Sequence, residues 1–176
     1  VIAFLSPIAF HRVEDIVQNL FEEGKTPLLM VLDAVTDVRN CGAIARTCVC
    51  AGVHALIINN RGSVAINGDA IKTSAGALHT LPVCKVENLQ NTLDYLRDSG
   101  LRIVAATEHT DTCYTSVDMT VPAAIVMGSE EKGIYEENLK RCTDKVRIPM
   151  TDTIESLNVS VAAGILIYEA IRQRAK

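Results

Sequence analysis

Hydrophobic residues recur at two different spacings along the chain, and the spacings predict helices and strands in turn. From Val13 to Glu23 apolar residues lie three and four positions apart, as on the buried face of an amphipathic helix. Gly24 is a suitable residue to end that helix. The apolar run from Leu28 to Leu32 has the length of a buried strand. A polar loop then leads into a second helical stretch, which ends at Gly52.

The same alternation continues to the end of the chain. Further strands are predicted at His54 to Ile58, Val83 to Val86, Leu101 to Ala106, Ala123 to Met127 and Lys145 to Ile148. Further helices are predicted at Asn67 to Ala77, Leu89 to Arg97, Tyr135 to Arg141 and Leu157 to Arg174. Apolar strands that alternate with helices are typical of a parallel sheet covered on both faces. The predicted fold class is therefore α/β, and a length of 176 residues suits a single domain.

Composition narrows the possible classes of protein. The longest nearly apolar stretch, Val159 to Tyr168, is much shorter than the ~20 residues of a membrane span, so no transmembrane helix is expected. The net charge of −4 argues, by itself, against an autonomous nucleic-acid-binding protein, because such proteins are usually basic. Any contact with nucleic acid must then come from a local patch, a dimer surface or further sequence.

The cysteines suggest neither a disulfide framework nor a zinc site. They are Cys41, Cys48, Cys50, Cys84, Cys113 and Cys142. No two of them form a C-x-x-C pair, and no histidine lies near them at the spacing of zinc ligands. We therefore expect buried thiols in a cytoplasmic protein and no bound metal.

Three loops that follow predicted strands carry unusual residues, and parallel sheets bind ligands at such loops. In the first, Asn40 is a candidate helix cap, and Arg46 lies about two turns inside the helix that follows. Taken alone, the segment favours a structural interpretation, in which Asn40 is only a helix cap and Arg46 is only a solvated surface charge.

The second loop is a glycine-flanked turn from Gly128 to Gly133. Its glycines have the spacing that opens a P-loop, but Ile134 and Tyr135 stand where that motif needs Lys and Ser or Thr. A dinucleotide fingerprint is excluded as well, because it would need a glycine at Glu130. The turn suits close approach of the backbone to a flat ligand, although a simple tight turn with a solvated acid remains the alternative.

The third loop leads into the last predicted helix. Ser156 is a candidate cap, and Asn158 and Ser160 lie in the opening turns. Gly164 within a helix costs up to ~1 kcal/mol relative to alanine, which predicts close packing against another backbone. By itself this segment could also be purely structural.

Together the three segments resemble the signature motifs of the SpoU (TrmH-like) family in the SPOUT superfamily of methyltransferases. The resemblance runs from Leu28 to Arg174. It rests on the spacing of Asn40 and Arg46, the turn from Gly128 to Gly133 and the run from Ser156 to Ala162. Asn67, Lys72 and the segment Ala75 to Ala77 are similar to bacterial members that methylate a guanosine of 23S rRNA.

The resemblance implies an enzyme that methylates an RNA ribose 2′-hydroxyl with S-adenosylmethionine. It also implies a homodimer and a carboxyl-terminal trefoil knot, which periodicity cannot reveal. The implied catalytic residues are Arg46, Asn40, Glu130 and Asn158. The implied cofactor-binding residues are Thr107, Met127, Gly128, Ile148, Ser156, Leu157 and Asn158. The alternatives are a tRNA ribose methyltransferase, a non-catalytic dimeric RNA-binding module, and an unrelated nucleotide enzyme, which the failed phosphate-loop patterns oppose.

The family proposal makes Arg46 the base that deprotonates the ribose. A guanidinium keeps its proton at neutral pH, so we expect Arg46 to grip a phosphate and stabilise the developing alkoxide instead. Asn40 and Glu130 are expected to orient Arg46 or the ribose, and Asn158 with Ser156 or Ser160 to complete the pocket. Isolated histidines are more often structural than catalytic, so His11, His54, His79 and His109 are left out of the site.

The expected organisation has two parts. Residues 1–27 are expected to be an extension that joins the domain to an RNA-binding region upstream, because the chain starts at Val1, is acidic, and resembles such a junction from Val1 to Arg12. Residues 28–176 are expected to form the catalytic domain. Its last helix is expected to form the dimer interface through the small residues Ala162, Ala163 and Gly164.

Overall fold

A six-stranded parallel sheet lies between two layers of helices in the computed structural model, which describes residues 7–151 and 153–175. The strands are β1 (Leu28–Asp33), β2 (Ala55–Asn59), β3 (Val83–Val86), β4 (Arg102–Ala106), β5 (Ala123–Gly128) and β6 (Asp144–Val146). The helices are α1 (Val13–Glu22), α2 (Val38–Ala51), α3 (Gly68–Thr73), α4 (Ala77–Thr80), α5 (Leu89–Asp98), α6 (Glu136–Leu139) and α7 (Val159–Arg174).

The strands lie in the order β3-β2-β1-β5-β4-β6, and every neighbouring pair is parallel. In chain order, β2 and β3 are therefore added successively on one side of β1. The later strands β4, β5 and β6 lie on its other side. β1 and β5 meet at this change of direction, and Asp33 is in register with Gly128 at their carboxyl ends. Loops after these two strands consequently emerge side by side, where α/β sheets bind ligands.

Alternate residues of each central strand enter separate cores on the two faces of the sheet. On one face Met30 and Leu32 of β1 pack in a cluster that includes Ile44 of α2 and Leu166 of α7. On the other face Val31 packs in a cluster formed largely with α1 and α5. Because both faces are covered, the central strands β1 and β5 are buried at nearly every position rather than at alternate ones. The α/β prediction, with helices on both faces, is confirmed.

The segment before β1 contributes to the second core. Val13, Val17 and Leu20 of α1 are buried there with β1, β2 and α5. Just upstream, Phe10 forms a parallel bridge with Val83, and His11 donates its backbone N–H to the Val83 carbonyl at 2.8 Å. The predicted boundary after residue 27 stays a prediction, and the family likeness at residues 1–6 lies outside the described residues.

Two predicted helix caps are wrong. Asp37, not Asn40, caps α2, because its carboxylate accepts the backbone N–H groups of Arg39 at 2.7 Å and Asn40 at 3.1 Å. Asn158, not Ser156, caps α7 by accepting the N–H of Ser160 at 2.9 Å. Each segment contains several good capping residues, and spacing does not tell which one meets the first free N–H groups.

The predicted helix from Asn67 to Ala77 is divided in two. Asn67 caps α3, but Ala75 and Gly76 have φ angles of +51° and +82°, so the chain turns before α4 begins. A left-handed φ at a non-glycine residue costs about 1–2 kcal/mol, so packing must stabilise the turn. The packing is tight at Gly42 of α2, where a Cβ atom would lie 2.7 Å from the Cβ of Thr73.

Gly164 does not approach another backbone within this chain, so that prediction is wrong for the single chain. The nearest atom to a Cβ placed there is Cγ2 of Thr47 on α2, at an ordinary 3.9 Å. The neighbouring Ala163 is fully buried in the first core. Of the small residues predicted to form a dimer interface, Ala163 is therefore already used inside its own chain.

The cysteines are all free thiols in the described part of the chain. Cys41, Cys48 and Cys84 are buried as predicted, and burial raises the pKa of each thiol to about 12. Cys142 is half-buried, and burial again raises its pKa to about 12. Cys50 is exposed, contrary to the prediction, because it lies on the solvent face of α2.

The last turn of α7 is attached to the rest of the molecule by Arg174. Its guanidinium donates to the carbonyls of Met119 at 2.8 Å and Val121 at 2.7 Å, in the connection between β4 and β5. It also donates to the carbonyls of Thr26 and Pro27, both at 3.0 Å, just before β1. One side chain thereby joins three distant stretches of backbone at the amino ends of the strands.

Replacing Arg174 with alanine should lower the free energy of unfolding by about 2 kcal/mol or more, because hydrogen bonds from a charged donor are lost together. Arg174→Lys should recover little, since one ammonium cannot reach four carbonyls. Arg97→Ala is the control, because this exposed residue pairs only with carboxylates on the surface of α5 and should change stability by less than about 1 kcal/mol. Urea unfolding measures all three. Equal losses for Arg174→Ala and Arg97→Ala would contradict the role of Arg174.

Candidate active site

The three sequence motifs meet at one oxygen atom of Glu130. This residue lies in the turn after β5, and its Oε1 accepts the side-chain amide of Asn158 at 2.9 Å and that of Asn40 at 3.4 Å. The same oxygen accepts the backbone N–H of Val159, the first residue of α7, at 3.3 Å. A single carboxylate therefore links the start of α2, the turn after β5 and the start of α7.

Both the nitrogen and the oxygen of the Asn158 side-chain amide form hydrogen bonds. Its Nδ2 donates to Glu130 and, at 3.0 Å, to Oδ1 of Asn40, while its Oδ1 caps α7 through Ser160. The amide cannot rotate without losing bonds on both sides. The Glu130 carboxylate also lies at the amino terminus of α7, where the helix dipole favours negative charge.

The turn from Gly128 to Gly133 closes on its own backbone. Ser129 and Gly133 form an antiparallel bridge, in which Gly133 donates to Ser129 at 2.8 Å. A Cβ atom at Gly128 would lie 2.1 Å from the carbonyl carbon of Gly133, so no other residue fits there. The turn is therefore tight, and its physical effect is to place Glu130 beside the starts of α2 and α7. Close approach of its backbone to a ligand stays a prediction.

A cavity of about 570 Å³ lies next to this turn. Its wall contains most of the residues that the resemblance implied for the cofactor, namely Thr107, Met127, Gly128, Ile148, Ser156 and Leu157. Asn158 is not on the wall but is bonded to Glu130, which is. The cavity is thus formed by the carboxyl ends of β4, β5 and β6 and by the segment that leads into α7.

The sequence analysis missed several residues of this cavity. Glu108 and His109 follow Thr107 on its wall, although His109 had been set aside with the other histidines. Met150 and Ile154 also line it, and Ile154 remains 69% exposed. The available signal was position, because all four residues follow the carboxyl end of a strand.

Arg46 lies apart from the Glu130 network. Six residues along α2 separate it from Asn40, which places the two side chains about 120° apart around the axis and about 9 Å apart along it. Arg46 is exposed, and within residues 7–151 and 153–175 no hydrogen bond or ion pair engages its guanidinium. The structure does not bring Arg46 into contact with Asn40 or Glu130, and leaves it free to bind a ligand.

The described residues contain no cluster of three or more His, Cys, Asp or Glu side chains suited to hold a metal ion. None of the helices in the same residues is long and apolar enough to cross a membrane.

Comparison with known proteins supplies the family. The model of the SpoU rRNA Methylase family matches residues 27–168, a range that includes Asn40, Arg46, Glu130 and Asn158. The chain belongs to the SpoU family. Among curated relatives, it is 37% identical to the 23S rRNA (guanosine-2′-O-)-methyltransferase RlmB of Photorhabdus laumondii, over 99% of this chain and 71% of that protein. It is 41% identical to RlmB of Yersinia pestis, over 88% of this chain and 63% of that protein.

Solved structures of SpoU proteins have the same fold. The SpoU methyltransferase AviRb from Streptomyces viridochromogenes has a TM-score of 0.79 and 29% identity, over 84% of this chain and 60% of that one. The same protein in complex with AdoMet has a TM-score of 0.78 and 30% identity, over 85% of this chain and 58% of that one. The TrmH/SpoU tRNA modifying enzyme of A. aeolicus has a TM-score of 0.76 and 32% identity, over 92% of this chain and 83% of that one.

Gly128→Ala should lower the free energy of unfolding by about 1–3 kcal/mol, because its Cβ would overlap the turn's backbone and force the turn open. Gly68→Ala is the control, since a Cβ at this helical position meets open space and should stabilise the protein by up to about 1 kcal/mol. Chemical denaturation followed by circular dichroism compares the two at one protein concentration. A Gly128→Ala protein as stable as the parent would show that the turn does not need this close approach.

Proposed function

We propose that this chain is the catalytic part of a cytoplasmic enzyme that methylates an RNA ribose 2′-hydroxyl, using S-adenosylmethionine, at a guanosine of 23S rRNA. The observation that carries the proposal is the junction of Asn40, Glu130 and Asn158 beside the 570 Å³ cavity. Membership of the SpoU family and the names of the two RlmB relatives support it. Because the chain spans 71% and 63% of those relatives, substrate and partners are inferred for the whole protein.

The cavity fits S-adenosylmethionine in size and chemistry. Ligand pockets usually enclose about 300–1,000 Å³ with mainly apolar walls, and this one has a value of about 570 Å³. Ile134, Ile148 and Val159 provide apolar surface for a flat base, and Thr107 provides a hydroxyl. The bound cofactor supplies a methyl group on a sulfonium, which is activated without a metal.

The chain's own residues then have two separate tasks. Glu130, Asn40 and Asn158 are positioning residues, because their hydrogen bonds to one another hold the starts of α2 and α7 against the cavity. Arg46 is free to bind a phosphate of the RNA with two parallel N–H groups and to stabilise negative charge that develops on the 2′-oxygen. Its guanidinium keeps its proton at neutral pH, so it aligns the substrate rather than acting as the base.

A trefoil knot is part of this proposal. β6 lies at the edge of the sheet beyond β4, whereas α7 returns to pack against α2 and β5 near the centre. Between them the chain passes the loop that follows β4, where Arg147 donates to the Thr112 carbonyl at 2.9 Å and accepts from Tyr114 at 3.0 Å. The loop after β4 thus holds the segment between β6 and α7 through two hydrogen bonds. These contacts support a knot in which that segment threads through the loop.

The protein is also proposed to be a homodimer. Val161 and Tyr168 lie seven residues apart on one face of α7 and are 50% and 51% exposed. The half-buried Gly164 lies between them on the side toward α2. Exposed apolar stripes of this kind are typical of contact surfaces, and a twofold axis would let one stripe cover its own copy.

A tRNA substrate is the second candidate. The A. aeolicus TrmH/SpoU tRNA modifying enzyme matches over 83% of its length, compared with 63–71% for the RlmB relatives. Assays of methyl transfer from labelled S-adenosylmethionine to 23S rRNA and tRNA, with the full-length protein, separate the two. Methylation of neither RNA, with intact cofactor binding, would favour a non-catalytic RNA-binding module.

Arg46→Ala should abolish methyl transfer, while affinity for S-adenosylmethionine measured by calorimetry stays near that of the parent. Arg46→Lys should restore little activity, because a single ammonium cannot reproduce two parallel bonds to a phosphate. Arg61→Ala is the matched control. Arg61 is also exposed, but it lies outside the Glu130 network and the 570 Å³ cavity, so the variant should retain most methyl transfer. Near-normal turnover of the lysine variant would rule out bidentate positioning by Arg46.

Val161→Glu should convert the dimer to a monomer, since it places a charge within the proposed apolar contact. Phe21→Glu alters a similarly exposed residue on α1, at 41% exposure, and should leave the oligomeric state unchanged. Light scattering at micromolar concentration measures the molar mass. A parent protein that is already monomeric would remove the dimer from the proposal.

A further inference from the structure

A second cavity, of about 280 Å³, lies on the other face of the sheet from α7. It is formed at the carboxyl ends of β1, β2 and β3 and at the starts of α5 and α6. Apart from Leu89 its lining residues are polar, namely Asp33, Asn59, Glu87, Asn88, Gln90, Tyr135, Glu137 and Asn138. It shares no lining residue with the larger cavity, so the proposed methyl transfer does not account for it.

Asp33 forms the most buried part of the lining, with only 2% of its surface exposed. Its Oδ2 accepts the backbone N–H of Tyr135 at 2.8 Å and the side-chain amide of Asn138 at 2.9 Å. Within the part of the chain that the structure describes, Oδ1 accepts no hydrogen bond. One oxygen of a buried carboxyl group is therefore available to a ligand.

Two further buried acceptors share this lining. Oδ1 of Asn138, a residue only 6% exposed, has no hydrogen-bond partner among the described residues, and neither has Oδ1 of Asn59. Leaving such a group unpaired is unfavourable, which makes a partner outside the chain the expected solution. Together with Oδ1 of Asp33, the residues that line the cavity carry three side-chain oxygens that accept no hydrogen bond from the described part of the chain.

The charges of the lining have one sign. Asp33, Glu87 and Glu137 are its charged residues, and no Lys, Arg or His is found among its described members. Burial raises the pKa of Asp33, and the negative charge of Glu137 raises it further. A cation in the cavity would offset both effects and favour the ionised carboxylate.

We propose that this cavity binds a small aliphatic amine through its ammonium group. An ammonium offers three N–H donors and a positive charge, which match three unpaired oxygens and a lining whose charged residues are all acidic. A metal ion fits less well, because the described residues contain no cluster of three His, Cys, Asp or Glu side chains close enough to ligate one. An anion is opposed by three carboxylates, although the amino terminus of α5 opens into the same cavity.

The probe is 1,4-diaminobutane, added to the parent protein at low ionic strength and followed by NMR of the asparagine side-chain amides. Binding in the millimolar range is expected, with the resonances of Asn59 and Asn138 shifting most. The fully methylated diamine, 1,4-bis(trimethylammonio)butane, has the same charge but no N–H donor, and should bind at least about tenfold more weakly. Equal binding of the two cations, preferential binding of phosphate or Mg²⁺, or no shift at tens of millimolar diamine would overturn the proposal.

Variants test whether the lining itself selects the amine. Asp33→Asn should weaken binding about tenfold or more, and the exposed Glu137→Gln about two- to fivefold. Asp33→Asn could disturb α6, so Glu137→Gln keeps the test decisive. Asp98→Asn removes a charge from the other end of α5 and should leave affinity unchanged. Equal affinities for Glu137→Gln and Asp98→Asn would count against the site.

An ammonium group could come from a free amine or from a lysine side chain of another protein. Nα-acetyl-lysine methylamide and 1-aminobutane, which each carry one ammonium group, are titrated in the same way to distinguish the two sources. Tighter binding of 1-aminobutane assigns the cavity to a free amine, and tighter binding of the lysine derivative assigns it to a protein side chain. None of these measurements depends on methyl transfer, so their failure would leave the proposed function untouched.

Discussion

The arrangement of the candidate active site depends on one carboxylate oxygen that accepts hydrogen bonds from three donors. Oε1 of Glu130 accepts N–H groups from Asn40, Asn158 and Val159, which lie on segments far apart in the chain. A neutral amide at position 130 could still accept, but it would lack the charge that strengthens all of these bonds and complements the α7 terminus. The site is therefore assembled by the same contact that fixes the angle between α2 and α7.

The two cavities lie at the same edge of the sheet, on opposite faces, and differ in the chemistry of their walls. β1 and β5 end together at Asp33 and Gly128, and the side chain of Asp33 enters the face opposite the Glu130 network. One cavity combines apolar walls with a rim of exposed apolar side chains, including Ile154. The other is small, and its charged lining residues are all acidic. A parallel sheet buried on both faces thereby provides two chemically distinct environments within a few residues of one strand end.

Periodicity predicted the strands, most of the helices and the α/β class, because burial on both faces leaves a strong apolar pattern in sequence. It could not choose between Asp37 and Asn40 as a cap, since both residue types accept backbone N–H groups equally well. Family resemblance selected Glu130 and Asn158, yet their mutual hydrogen bonds join residues 28 apart and follow from the fold alone. Asp33 drew no attention, because a carboxylate at a strand end is commonplace until its burial is known.

The contacts of Arg174 have a consequence for how the protein is made. This side chain, at the end of α7, holds the carbonyls of Thr26 and Pro27, 148 and 147 residues earlier in the chain. Ribosomes synthesise the chain from its amino terminus. The strand β1 and its neighbouring strands therefore emerge long before Arg174, whose hydrogen bonds hold them in place. Until Arg174 has emerged, α7 is not docked on the sheet, and the apolar surface that α7 covers stays exposed. Nascent chains halted before residue 174 should accordingly be the species that chaperones engage longest.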